Sequence, residues 1–304
     1  MAIGSYIKEI GRGKDGARAL TREQAADLFG QVLDGAVTDL EVGAFCLAMR
    51  IKGETPQEMA GFLDATHQRL NRVPVAPGAA PTVVIPSYNG ARKLPLLTPL
   101  LALLLAREGL PVLIHGVQTE SSRVYTSKVL FSLDIPAQTA IELVANGTVA
   151  FAPTALLLPG LQRLLEVRRV VNLRNSGHSV VKLMNPCAGK SLIVSSYTHP
   201  EYASSMAATF ELMQANALLL RGTEGEAVAD ARRMPQMDGY VNGQKTTLQQ
   251  AQPGTLATLP DLPRTFDADT TAAYIRAVMA GSQKLPESIA QQVAHILHLV
   301  NSIS

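Results

Sequence analysis

Pro86-Ser87-Tyr88-Asn89-Gly90, followed closely by Arg92-Lys93, is the stretch of this 304-residue chain best placed to meet an oxyanion. It follows the β-branched run Val83-Val84-Ile85 and precedes a long apolar segment, residues 94–106. Strand, loop and helix in that order put the loop at the carboxyl end of a parallel strand, where α/β domains bind their ligands. A loop whose backbone amides cradle phosphate normally carries several glycines. This one has a single glycine, a tyrosine that adds bulk, and a proline without an N–H. What it keeps for phosphate is the basic pair Arg92-Lys93.

Other candidates are weaker. Gly11-Arg12-Gly13-Lys14-Asp15-Gly16 spells GxGxxG, but no strand precedes it and no βαβ unit surrounds it. It reads as a basic loop offering Arg12, Lys14 and Arg18 to phosphate. His178 lies in a polar, basic segment, residues 168–186, and reads as a ligand contact; His115, at a strand end, reads as structural. Arg168-Arg169 suits phosphate contact and helix C-capping equally. His295 and His298 have no cysteine or carboxylate nearby, so they do not read as a metal site. Cys46 and Cys187 sit among apolar or small neighbours and read as buried free thiols. No GxSxG elbow or Walker motif is present. No metal and no cofactor is expected.

The formal charge of +2 points to no particular partner, but its distribution is uneven. Residues 86–190 hold eleven Lys/Arg against five acids, enough for a local positive surface if the charges share a face. The N-terminal residues lack the apolar core of a signal peptide, and residues 94–106 are too few to span a bilayer. A cytoplasmic protein without membrane contact is expected.

Three helix starts open the chain: capping boxes at Thr21-Arg22-Glu23-Gln24 and Thr38-Asp39-Leu40-Glu41, then Thr55-Pro56-Gln57-Glu58 with proline at the first helical position. Strands and helices alternate beyond the connector at residues 73–81, with a helix expected over 140–145. These patterns predict an α/β fold with a small N-terminal helical domain and a larger domain built on a mainly parallel sheet. Residues 1–72, with a helical segment at about 153–186, form the first. Residues 82–152 and 187–304 form the second.

Met49-Arg50-Ile51-Lys52-Gly53-Glu54-Thr55-Pro56, Phe151-Ala152-Pro153 and Asn185-Pro186 closely resemble landmarks of the anthranilate phosphoribosyltransferases. The resemblance implies a homodimer through the helical domains and an active site between domains. It also implies that Pro86-Ser87-Tyr88-Asn89-Gly90 replaces the GTGGD loop that holds the diphosphate of phosphoribosyl diphosphate. Of a following N-x-S-T segment only Thr98 survives; of KHGN, His115 and Gly116; Ser121-Ser122-Arg123 is retained with arginine for lysine. Ala227-Val228 stands where the enzymes have a magnesium-binding Asp-Glu pair, with Glu224 and Glu226 an alternative in a shifted register. Ser87, Tyr88, Asn89, Gly90, Thr98 and His115 thus read as a degenerate substrate loop.

The run from Arg174 to Pro186, read as an insert, resembles the YbiB branch of the superfamily. That resemblance implies binding of DNA and RNA with little sequence preference. Arg12, Lys14, Arg92, Lys93, Arg123, Arg174, His178, Lys182 and Lys190 are the expected phosphate contacts. A divergent phosphoribosyltransferase using Mg²⁺ is the second reading, and a dimer that binds only protein the third.

Overall fold

The computed structural model describes residues 3–13 and 15–303. Four helices open the chain: α1 (Gly4–Ile10), α2 (Arg22–Asp34), α3 (Asp39–Lys52) and α4 (Pro56–Arg69). All three capping boxes form, each threonine accepting from the N3 amide while the N3 side chain accepts from the cap amide. The bundle closes on Phe29, Phe45 and Phe62, one from each of α2, α3 and α4. Phe29 and Phe62 stack at 4.6 Å, and Phe45 meets both edge-on. Glu58 is fully buried, accepting from the Leu20 amide at 2.9 Å and pairing with Lys52 at 2.6 Å. This fixes the α3–α4 turn.

The sheet has seven strands in the order β3-β2-β1-β4-β5-β6-β7. β1 (Thr82–Ser87), β2 (Val112–Gly116), β3 (Val149–Pro153), β4 (Ser191–Tyr197) and β5 (Ala217–Arg221) run parallel. β6 (Met237–Val241) and β7 (Gln244–Gln249) are antiparallel, joined by a turn with Asn242 and Gly243 at φ 49° and 75°. Pro86, expected to end β1, lies inside it. Pairing with β4 stops at Val84 while pairing with β2 continues through Ser87, which leaves the proline's nitrogen on the side without a ladder.

α5 (Thr98–Arg107), α6 (Thr126–Ser132), α12 (Ala268–Met279) and α13 (Glu287–Ile303) surround one body of the core; α5 is almost wholly buried. Between β3 and β4 the chain returns to the bundle as α7 (Thr154–Leu157), α8 (Pro159–Glu166), α9 (Arg168–Val171) and α10 (Gly177–Val180), with α8 packed on α2 and α10 on α4. α11 (Pro200–Leu212) lies between β4 and β5 and also packs on α4. The helix expected at residues 140–145 is absent: that segment is an extended loop that carries the chain to β3. Both cysteines are free and buried. No described helix is long and apolar enough to cross a membrane.

Candidate functional site: a phosphate-type loop filled from within

The loop after β1 is closed over a carboxylate of the protein itself. Glu226, fully buried, accepts from the backbone amides of Asn89 and Gly90 through Oε1, both at 2.7 Å. Its Oε2 accepts from Ser87 Oγ at 2.5 Å and Thr98 Oγ1 at 3.3 Å. Glu224 takes the next set of amides, its Oε2 accepting from Arg92 at 2.9 Å, Lys93 at 3.2 Å and, more weakly, Leu94 at 3.4 Å. Successive amides aimed at one oxygen make an anion-binding concavity. Here two glutamates fill two such concavities.

The turn after β5 is shaped to deliver them. Gly225 has φ 87° and Glu224 has φ 51°, left-handed values that cost a non-glycine residue energy. A side chain at Gly225 would overlap the Asn89 amide group, which donates to the Glu224 carbonyl at 3.0 Å. From below, Lys182 Nζ donates to the carbonyls of Ser196 at 3.0 Å and Gly225 at 3.1 Å, and Ser196 Oγ also donates to Gly225. Burial pushes the Lys182 ammonium down to about 8, against the opposing pull of Glu226. Lys182 is therefore a half-buried strut of this turn, its ammonium committed to two backbone carbonyls.

Tyr88, expected to crowd the phosphate position, is instead buried behind the loop. Its hydroxyl bonds His115 Nδ1 at 2.7 Å and Thr154 Oγ1 at 2.8 Å, tying β1 to β2 and α7. Burial holds His115 neutral, with its pKa lowered to about 3, and its Nε2 has no partner among the described residues. His178 is likewise buried and lowered to about 3, by burial first and then by Arg174 and Arg168. Its Nδ1 lies 3.2–3.3 Å from the Asn175 side-chain oxygen and amide, so it braces the start of α10. The expected polar insert is a compact buried segment, with Val180, Val181, Leu183 and Met184 in the core.

The remaining expected contacts divide. Arg123 is held inside by Glu120 at 3.0 Å and the Asn89 carbonyl at 2.8 Å, and Arg168 pairs with the same glutamate. Arg169 donates to the Gln118 carbonyl. Arg174 is half-buried beside Arg168 and Arg123, makes no hydrogen bond or ion pair among the described residues, and has its pKa lowered chiefly by burial. Arg92, with its side chain 57% exposed and only a 3.9 Å approach to Glu224, and Lys93 project from the loop. Arg12 is exposed in the bundle and paired with Glu9 at 2.7 Å. Lys14 lies outside the described residues. Lys190 is exposed but precedes β4, so it sits at the opposite end of the sheet from the loop.

A cleft of about 310 Å³ lies between bundle and sheet, lined by Arg50, Glu54, Arg174, His178, Lys182 and Tyr202 among others. Glu54 accepts from Ser176 Oγ at 2.6 Å across it. Sequence reasoning missed Glu226 and Glu224 as loop ligands, Glu120 as the arginine partner, and Arg50. Arg50 had a local signal in the Arg50-Ile51-Lys52-Gly53-Glu54 run, and Glu120 in its spacing three residues before Arg123.

Residues 5–69 match the family described as the helical bundle domain of a glycosyl transferase family. The protein YbiB of Escherichia coli (strain K12) is 40% identical over 294 residues, covering 95% of this chain and 91% of that protein. The chain belongs to the YbiB family. An anthranilate phosphoribosyltransferase from Methanosarcina acetivorans is 32% identical over 71% of this chain and 58% of its own length. The fold matches anthranilate phosphoribosyltransferase from Thermus thermophilus with TM-score 0.71 at 20% identity, over 98% of this chain and 88% of that one. The Saccharomyces cerevisiae enzyme in complex with PRPP and Mg gives TM-score 0.71 at 12% identity, over 99% and 89%. The scaffold is thus that of the phosphoribosyltransferases.

The magnesium implied by that scaffold does not fit the residues present. Ala227 and Val228 are buried apolar side chains, and the carboxylates of Glu224 and Glu226 are committed to loop amides. Among the described residues no group of three or more His, Cys, Asp or Glu is arranged to hold a metal.

Proposed function

We propose that the protein is a homodimeric, non-catalytic nucleic-acid-binding protein on a phosphoribosyltransferase scaffold. The observation that carries the reading is the Glu226 carboxylate in the loop. With the Asn89 and Gly90 amides and the Ser87 and Thr98 hydroxyls already satisfied, the cradle of the loop has no donor left for a diphosphate, and bringing one up to the buried Glu226 and half-buried Glu224 carboxylates is electrostatically unfavourable. The cations around it remain free to act outward: Arg92 and Lys93 on the loop, Arg50 and Arg174 at the cleft. Such side chains contact phosphates without reading bases. This basic set is smaller than the sequence suggested, because Arg123, His178 and Lys182 serve the interior.

The dimer reading is supported by α3, which exposes Leu40, Leu47 and Ile51 at 83%, 51% and 58% along one helical face. Pairing through that face doubles the basic surface.

Fluorescence anisotropy with unrelated DNA duplexes and single strands tests the proposal. Affinity falls by roughly a hundredfold or more between about 50 and 200 mM salt if several phosphates are engaged. The R92E/K93E double reversal weakens binding to every sequence by roughly tenfold or more and lowers the salt slope. Binding indifferent to both salt and reversal, or no binding, refutes it.

A further inference from the structure

We propose that Glu226 is a built-in ligand: its carboxylate stands in for a phosphate group in an oxyanion site that the chain still possesses. Two amides and two hydroxyls, from Asn89, Gly90, Ser87 and Thr98, converge on its two oxygens. That donor set satisfies either a carboxylate or one edge of a phosphate, since it offers hydrogen bonds and imposes no carbon-specific contact.

The surrounding structure holds the donors in place independently of Glu226. Gly90 adopts φ 67°, where an added side chain would meet the Val124 carbonyl. Ala91 exchanges backbone hydrogen bonds with Val124 at 2.8 and 3.2 Å. Ser87 Oγ is held by Thr126 Oγ1 at 2.6 Å, and the Asn89 carbonyl by Arg123 at 2.8 Å. Removing the carboxylate therefore leaves a formed, vacant cradle and no collapsed loop. The opposite turn is equally fixed, through Lys182, Ser196 and the glycines at 222 and 225. Carboxylate and cradle lie 128–139 residues apart in the chain, so this internal ligand also clamps the β1 loop to the β5 turn. The inference concerns the loop's interior and holds whether or not the protein binds nucleic acid.

Chemical rescue tests it. In phosphate-free buffer, Glu226→Ala melts roughly 5 °C or more below wild type, because four buried donors lose their acceptor. Inorganic phosphate or formate at millimolar concentration recovers much of that loss, while chloride at matched ionic strength does not. Wild type and Glu226→Gln, whose cradles are filled, show no phosphate-specific shift. If Glu226→Ala unfolds outright, refolding from urea with and without inorganic phosphate reads the same property, with phosphate restoring the native signal. An alanine variant as stable as wild type overturns the proposal, and so does one that phosphate stabilises no more than chloride does. The readout uses no nucleic acid, so its failure is distinct from failure of the binding reading.

Discussion

Lys182 gives a quantitative test of how the site is built. Its ammonium is turned into the protein, where it donates to the Ser196 and Gly225 carbonyls, and burial lowers its pKa from 10.5 to about 8. A lysine with a depressed folded-state pKa contributes stability that is fully present above the unfolded value and is lost as pH falls through the folded one. Between those two values the unfolded chain binds the extra proton, so stability rises with pH across that window. The full span is worth about 3 kcal/mol, of which about 2 kcal/mol falls between roughly pH 7 and 9.5. Lys182→Met removes this linkage along with the hydrogen bonds. At neutral pH the relieved desolvation and the lost hydrogen bonds largely offset, so the variant lies within about 2 kcal/mol of wild type. Urea unfolding followed by circular dichroism at several pH values gives the difference between the two proteins, in which the other titrating groups cancel. Wild type gains the stated amount relative to Lys182→Met as pH rises. A difference that stays flat over this range refutes the buried-strut assignment.

Other outcomes follow from the same geometry. Tyr88→Phe leaves His115 and Thr154 without the bridging hydroxyl and costs about 1–3 kcal/mol, read as a lower urea midpoint at unchanged slope. His67, His115 and His178 are all held below their ordinary value by burial, to about 4, 3 and 3. Their contribution is present above about pH 6.5 and is lost as pH falls, at up to about 1.4 kcal/mol per pH unit for each. Acid titration of His178→Asn shows a shallower fall than wild type by about one such contribution. Gly225→Ala forces a side chain into the Asn89 amide at a left-handed φ, so it destabilises the protein and raises protease sensitivity at the loop.

The bundle was legible because its signals are local. Each capping box spans four residues, and Thr21, Thr38 and Thr55 all form the bonds their spacing implies. The Asn242-Gly243 turn that joins β6 to β7 is equally local, two adjacent residues at positive φ. Pro86 misled because whether a proline ends a strand depends on which neighbour still pairs there. The basic segment misled in a different way. A count of charges does not tell which face they occupy, and α10 with its flanks buries His178 beside Val180, Val181 and Met184 and turns the half-buried Lys182 toward backbone carbonyls. Glu226 was the hardest to read. Its meaning lies wholly in amides more than a hundred residues away, and Glu-Gly-Glu alone is an ordinary polar turn. The loop's departures from GTGGD and the added carboxylate make sense only together.

Calorimetric titration of phosphoribosyl diphosphate with Mg²⁺ into the wild-type protein addresses the central claim most directly. A loop already filled by Glu226 predicts no binding heat up to millimolar ligand and no consumption of the compound when an aromatic acceptor is added. Saturable Mg²⁺-dependent binding with micromolar affinity, accompanied by diphosphate release, would contradict it.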